Sequence, residues 1–229
     1  MFREINLASG GICKIITVAP ELPASAEFIR ETKDEVILSL GHSCATYDEA
    51  KKAIESGMHH ITHFYNAMTP FTHREPGVVG AVWESPLTHA EMICDGVHLH
   101  PTVVNLTFRF LGDDRIIFIS DSMEATGMSD GSYKLGGLDV TVKGKHATLK
   151  DGTLAGSATN LMGCLQTAVL EMGIPLESAI KCASCNPARE IGLTDCGSLE
   201  AGKHADFVLL EPKTLKVRAV YAGGKKVEL

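Results

Sequence analysis

The stretch Gly41–Gly77, GHSCATYDEAKKAIESGMHHITHFYNAMTPFTHREPG, decides how this chain is read. It completes the apolar run Glu35-Val-Ile-Leu-Ser-Leu, whose length and closing glycine suit a buried parallel strand. Thr46 and Glu49 have the T-x-x-E spacing of a capping box, and Asp48 puts negative charge in the first turn, where the helix dipole favours it. Tyr47, Ala50, Ala53 and Ile54 then recur at helical spacing, and Gly57 suits the helix stop. His60–His63 reads as the next strand. His42 and His63 thus end two consecutive strands. Residues at such positions point to one mouth of an α/β barrel, the face where barrel enzymes carry their sites. With 10 histidines in the chain, the plain alternative is a chance pairing of hydrogen-bonded structural residues. Asn66, Arg74, His98 and Asp121 fall on the same side of the repeating pattern and weigh against it.

Outward from this stretch the βα rhythm continues. Lys14–Ala19 reads as a strand, followed by a helix from about Pro23 to about Thr32. Glu91–Cys94 is a strand leading to Asp95-Gly-Val-His98, Pro101–Leu111 a helix ended by Gly112, and Arg115–Ser120 a buried strand that terminates at Asp121. Beyond Asp121 the pattern changes. Gly127–Gly152 mixes turns with short β runs such as Leu138–Val142, Gly156–Asn160 opens a helix to about Met172, and Pro175 starts another that ends near Asn186-Pro187. The tail alternates turns and strands, Ala205–Leu210 and Lys216–Tyr221. Five barrel-like strands are visible, whereas a closed barrel needs eight strands and about 250 residues. The edges at Lys14–Ala19 and Arg115–Ser120 are therefore expected to lack partners.

Composition narrows the functional classes. A formal charge of -7 argues against a general nucleic-acid role and requires local basic residues for any anionic substrate. No apolar run approaches a membrane span, and Met1–Asn6 lacks a signal peptide's apolar core, so a cytoplasmic location is expected. Seven cysteines, an odd number set in apolar or helical sequence, suit reduced thiols, and Cys182 and Cys185 read as core residues despite their CxxC spacing.

The chemistry follows from residue type. His42 and His63 offer imidazole nitrogens that suit zinc or ferrous iron. Asp121 is placed to move a proton between a water and a leaving group, although it can also be read as a cap on the next segment. His98 can donate a hydrogen bond to a substrate hydroxyl or carbonyl. Arg74 presents a planar fork for phosphate or carboxylate, or is simply a solvated arginine.

The motifs GHSCAT, THFYNAM, REPG, DGVHLH, SDSMEATG, DGTLAGS, NPAREIGL and GSLEAGKHADFVLL, in this order and spacing, resemble the amidohydrolase superfamily. Within it they look like the N-acetylglucosamine-6-phosphate deacetylases, from about Ile15 onward. The resemblance implies a (β/α)8 TIM-like barrel with a small β-sandwich, usually dimeric, that removes acetate from N-acetylglucosamine 6-phosphate using a divalent metal, zinc or iron. Carried over by motif, His42 and His63 are metal ligands and Asp121 is the catalytic acid/base. Asn66, Ala67, Arg74, His98, Leu154, Ala155 and Gly156 are implied substrate-binding positions, with Arg74 reaching phosphate across a homodimer.

The family also carries a metal-binding glutamate in an HxEGP motif upstream of the VAPE stretch, here Val18–Glu21, and a substrate histidine after it. Neither motif occurs in these 229 residues. The resemblance thus covers the C-terminal portion: about the last five barrel strands over residues 1–203 and the C-terminal part of the sandwich over 204–229. Glu21 is expected to hydrogen-bond at the barrel mouth rather than replace the glutamate. The unaided chain is expected not to turn over. Its rivals as readings are a non-catalytic piece that binds sugar phosphate or needs a partner chain, and another amidohydrolase acting on a cyclic amide or dipeptide.

Overall fold

A computed structural model describes residues 1–228. The chain divides into two compact units, residues 1–91 and residues from Met92 onward.

The first unit opens with a short helix, α1 (Phe2–Ala8), which the sequence pattern did not announce. Phe2 is its buried residue and meets Phe28 edge-on, while Arg3 forks onto Glu35. Strand β1 (Ile15–Val18) pairs in parallel with β2 (Ile37–Leu40), joined by α2 (Ser25–Thr32). α2 begins at Ser25 rather than Pro23, because Ala24 is left-handed and Ser25 Oγ donates to the Ala19 carbonyl, holding the chain in a turn. α3 (Tyr47–Glu55) has the expected capping box, with both Thr46–Glu49 bonds present, and buries Ala50, Ala53 and Ile54. β3 is only His60–Ile61, because positive φ at His63, Tyr65 and Ala67 turns the chain out of the sheet. α4 (Gly77–Glu84) follows and packs on α3; Lys51 of α3 bonds Glu84 at 3.0 Å. Leu38, Leu40, Ile61, Phe64, Val78 and Val79 fill the core here.

β4 (His89–Ile93) spans the division, and the parallel strands run in chain order, β1-β2-β3-β4-β5. In the second unit, α5 (Pro101–Leu111) has proline in its first turn and ends at Gly112, as its sequence dictates. β5 (Ile116–Ile119) is fully apolar. A three-stranded antiparallel sheet follows, β6 (Gly131–Leu135), β7 (Leu138–Lys143) and β8 (His146–Thr148), over a small core of Met123, Val140, Val142 and Ala147. α6 (Leu161–Leu170) is capped by Asn160.

A further helical run comprises α7 (Leu176–Ile180), a wider π turn over Lys181–Cys185, and α8 (Asn186–Glu190). The helix therefore does not stop at Asn186-Pro187; Pro187 falls in the first turn of α8, where a missing N–H is tolerated. The π turn has a visible consequence. Asn186 Nδ2 donates to the Asp113 and Ile116 carbonyls at 2.6 and 2.7 Å, so side-chain bonds cover part of the β5 edge that the sequence left unpaired. A second antiparallel sheet, β9 (Phe207–Leu210), β10 (Val217–Ala222) and β11 (Lys225–Val227), completes the described chain. No helix among the described residues is long and apolar enough to cross a membrane.

Candidate functional site

Four of the parallel strands release the chain in the same way. His42 lies two residues beyond β2, His63 two beyond β3, Asp95 two beyond β4 and Asp121 two beyond β5. His42, His63 and Asp121 also have positive φ, at 50°, 29° and 49°. A non-glycine residue rarely adopts this conformation. It costs of order 1–3 kcal/mol and persists where the surroundings enforce it, which points to a working site.

In the first unit, the His42 and His63 rings meet with Nε2 atoms 2.9 Å apart. Two imidazole lone pairs facing each other repel, so this approach needs a proton or a cation between them. His63 is buried and His42 exposed, beside an open cavity of about 580 Å³ lined by His42, Cys44, Ala67 and Thr69. Two carboxylates brace the pair. Glu21 accepts from Ser43 Oγ at 2.7 Å and from the Cys44 N–H at 2.5 Å, clamping the turn that carries His42. Glu91 accepts from the His63 N–H at 3.3 Å through one oxygen and lies 2.9 Å from His60 Nε2 through the other. Both of Glu21's oxygens therefore serve the turn, as the sequence suggested. Glu91 and His60 are supporting residues that sequence reasoning missed.

Among the described residues, no group of three or more His, Cys, Asp or Glu is placed to hold a metal ion. The donor set fits two positions of a divalent metal that prefers nitrogen.

Asn66 and Ala67 lie in the same turn. The Asn66 side-chain amide donates to the His63 and Phe64 carbonyls at 3.2 and 3.3 Å, and Ala67, at φ 48°, accepts from the Ser43 N–H at 3.0 Å. Both residues thus shape the loop around the histidines. Glu75 anchors the REPG loop by accepting from the Tyr47 and Gly77 N–H groups. Arg74 beside it is exposed, with no hydrogen bond or ion pair among the described residues.

In the second unit, Asp121 is exposed and its carboxylate makes no hydrogen bond among the described residues. Its backbone is gripped instead. The Ser157 N–H donates to the Asp121 carbonyl at 2.8 Å, and the Met123 N–H returns a bond to the Ser157 carbonyl at 2.9 Å. Leu154, Ala155 and Gly156 lead into this contact. Glycine suits position 156 in two ways: φ is 67°, and a Cβ there would lie 3.3 Å from the Asp121 carbonyl oxygen, a tight contact. His98 is nearly buried, and its Nδ1 is 2.9 Å from Asp95 Oδ2. Asp95 and Ser157 also went unread; the short D-x-x-H spacing was the available signal.

The thiols are not part of either cluster of bonds. Burial pushes Cys182 and Cys164 up to about 12, and no disulfide joins the described cysteines. Cys182 is a core residue as expected, whereas Cys185 is exposed.

Comparison with known proteins adds independent information. Residues 14–227 match the Amidohydrolase family. The N-acetylglucosamine-6-phosphate deacetylase of Bacillus subtilis is 40% identical over 212 residues, which is 92% of this chain and 54% of that protein. The N-acetylgalactosamine-6-phosphate deacetylase of Escherichia coli is 35% identical over 235 residues, covering 98% of this chain and 62% of that one. A solved structure of an N-acetyl-D-glucosamine-6-phosphate deacetylase variant from Mycobacterium smegmatis, in complex with N-acetyl-D-glucosamine-6-phosphate, superposes with a TM-score of 0.93 at 37% identity, over 98% of this chain and 60% of that one. The chain thus spans a little over half the length of these relatives.

Proposed function

The chain belongs to the amidohydrolase family, and from that premise we propose that it carries the metal-binding and proton-transfer residues of an N-acetylglucosamine-6-phosphate deacetylase. The observation that carries this reading is the approach of His42 and His63, two strand-end imidazoles with Nε2 atoms 2.9 Å apart. They would hold a divalent ion, zinc or ferrous iron, which when bound supplies polarisation of the amide carbonyl and a water of lowered pKa. Asp121 takes the proton from the attacking water as the new C–O bond forms. It then delivers that proton to the amine nitrogen as the C–N bond breaks, releasing acetate and glucosamine 6-phosphate. Its unbonded, exposed carboxylate suits a group that must exchange protons. Arg74 fixes the phosphate and so positions the acetamido group. Asn66, Ala67, His98 and the Leu154–Gly156 loop line the sugar. Residues 1–203 form the hydrolase part and 204–229 the accessory β part, with the protein working as a cytoplasmic homodimer.

A second reading is favoured by one observation. A catalytic zinc ordinarily has three protein ligands, and the described residues gather two imidazoles. On this reading the 229-residue chain binds the sugar phosphate without turning it over until a further ligand is supplied.

The test is to load the chain with zinc or ferrous iron and follow both ligand binding and acetate release. N-acetylglucosamine 6-phosphate, N-acetylgalactosamine 6-phosphate, unphosphorylated N-acetylglucosamine, a dipeptide and a cyclic amide form the panel. Release from a phosphorylated amino sugar supports the first reading, and binding without release the second. Hydrolysis of the dipeptide or cyclic amide alone would overturn both.

A further inference from the structure

We propose that Asp95 is a positioning residue, fixing the His98 imidazole so that the lone pair of Nε2 is what the ring offers to the substrate. The assignment of His98 to the substrate rests on the deacetylase reading; the state of the ring does not.

Asp95 is a carboxylate whose side chain has no exposure to solvent. All its strong bonds come from the turn that follows it. Oδ1 accepts the Val97 and His98 N–H groups, each at 2.9 Å, and Oδ2 lies 2.9 Å from His98 Nδ1. Ser157 Oγ lies 3.5 Å from Oδ2, beyond the usual O–H···O range, so it is a weak contact. Burial alone would raise the carboxyl's pKa, but the bonds from His98 and Val97 outweigh it and hold the group below its ordinary value, so the charge is kept. An ionised carboxylate only accepts, so His98 Nδ1 carries the proton. A neutral imidazole has one N–H, which leaves Nε2, on the far side of the ring from Asp95, as an acceptor. It can receive a sugar hydroxyl or the acetamido N–H, where an Nε2–H tautomer would instead donate to the acetyl oxygen.

The rest of the surroundings hold Asp95 still. Lys145, on the turn between β7 and β8, donates to the Asp95 carbonyl at 3.3 Å and to Thr167 Oγ1 at 3.1 Å. Ser157, which touches Asp95 through its hydroxyl, is the residue whose N–H grips the Asp121 carbonyl. Asp95 is therefore bonded to His98, and only the weak Ser157 contact relates it to Asp121.

The conservative variant has a specific consequence. In Asp95→Asn the amide oxygen must stay at the Oδ1 position, since two N–H groups claim it. The NH2 then faces His98 Nδ1 and drives the ring proton to Nε2.

The experiment is nitrogen-15 NMR of the full chain at a pH where the imidazole is neutral, with the His98 signals identified by their loss in His98→Gln. The expected result is an Nδ1–H tautomer in the wild type and an Nε2–H tautomer in Asp95→Asn. In a preparation that turns over, kcat/KM falls about 10- to 100-fold, by analogy with the outer partners of metal-ligating histidines, and Asp95→Glu recovers part of the loss. An Nε2–H tautomer in the wild type overturns the proposal, and this measurement stands even if the variant does not fold. An unchanged tautomer in a folded Asp95→Asn overturns it equally. Failure of the deacetylase reading looks different: no phosphorylated amino sugar is bound or cleaved, while His98 keeps its Nδ1–H form.

Discussion

His42 and His63 are supported by carboxylates, whereas Asp121 is supported by neutral groups. Glu21 clamps the turn after His42, and Glu91 holds the His63 N–H with His60 behind it. Asp121 is held by the Ser157 N–H, and the neighbouring Ser122 hydroxyl ties to the Thr159 carbonyl. The division follows electrostatics. A cation bound by imidazoles gains from nearby negative charge, whereas a second carboxylate beside Asp121 would resist its ionisation. In the second unit His98 also has a carboxylate partner, Asp95, 2.9 Å from its Nδ1. On the proposed function, the first region would hold charge and the second would move a proton.

Four experiments can break or sharpen that contrast. The largest effect is expected for Asp121→Asn, which should lower turnover by about 10²- to 10⁴-fold while metal and sugar-phosphate binding persist. Acetate release and a binding titration on the same sample separate the two. Near-normal turnover would remove Asp121 from the mechanism and end the contrast. Arg74→Ala should weaken binding of the phosphorylated sugar by roughly 1.5–3 kcal/mol and leave unphosphorylated N-acetylglucosamine unaffected. Equal losses for the two sugars, measured by calorimetry, would mean that the first region does not read the phosphate.

Glu21→Gln and Glu91→Gln should each loosen zinc by about 10- to 100-fold in competition with a chromophoric chelator, with Ser157→Ala as the unaffected control. Zinc held as tightly by Glu21→Gln as by the wild type would reduce the carboxylate braces to packing. The smallest effect concerns Asp95. Its folded pKa lies below the ordinary 3.8, so its contribution to stability is present above that value and lost as pH falls through the folded pKa. Urea unfolding should therefore show the advantage of the wild type over Asp95→Asn narrowing below pH 3.8. A gap that stays constant down to acid pH would show that Asp95 is not charged in the fold.

The parallel strands and the capped helices were legible in the sequence because period and caps are local. Thr46 and Glu49 announce α3, and Pro101 and Gly112 bracket α5. α4 was not read, because GVVGAVWE is apolar all round with two glycines and has no cap residue. The π turn at Lys181–Cys185 also escaped notice, since a proline after asparagine signals a stop unless a tertiary contact overrides it, here Asn186 on the Ile116 carbonyl. Among the candidate residues, His42, His63, Asp121 and His98 are proposed by the sequence from their places after strands. Asp95 had a local signal in its D-x-x-H spacing, whereas Glu91 and Ser157 had none, because their importance lies in the backbone groups they hold across 28 and 36 residues of sequence. Such pairings exist only in the folded chain.

The positive φ angles at His42, His63, Tyr65, Ala67 and Asp121 have a consequence for how this chain responds to mutation over generations. Glycine relieves such a backbone without rebuilding the turn. A population propagated under heat alone would therefore be drawn toward glycine at the exposed His42 and Asp121, and would lose a ring nitrogen and a free carboxylate there. On the proposed function, one propagated on an acetylated amino sugar as sole carbon source would be barred from the same substitutions. On that reading, endurance and chemistry pull these two positions in opposite directions.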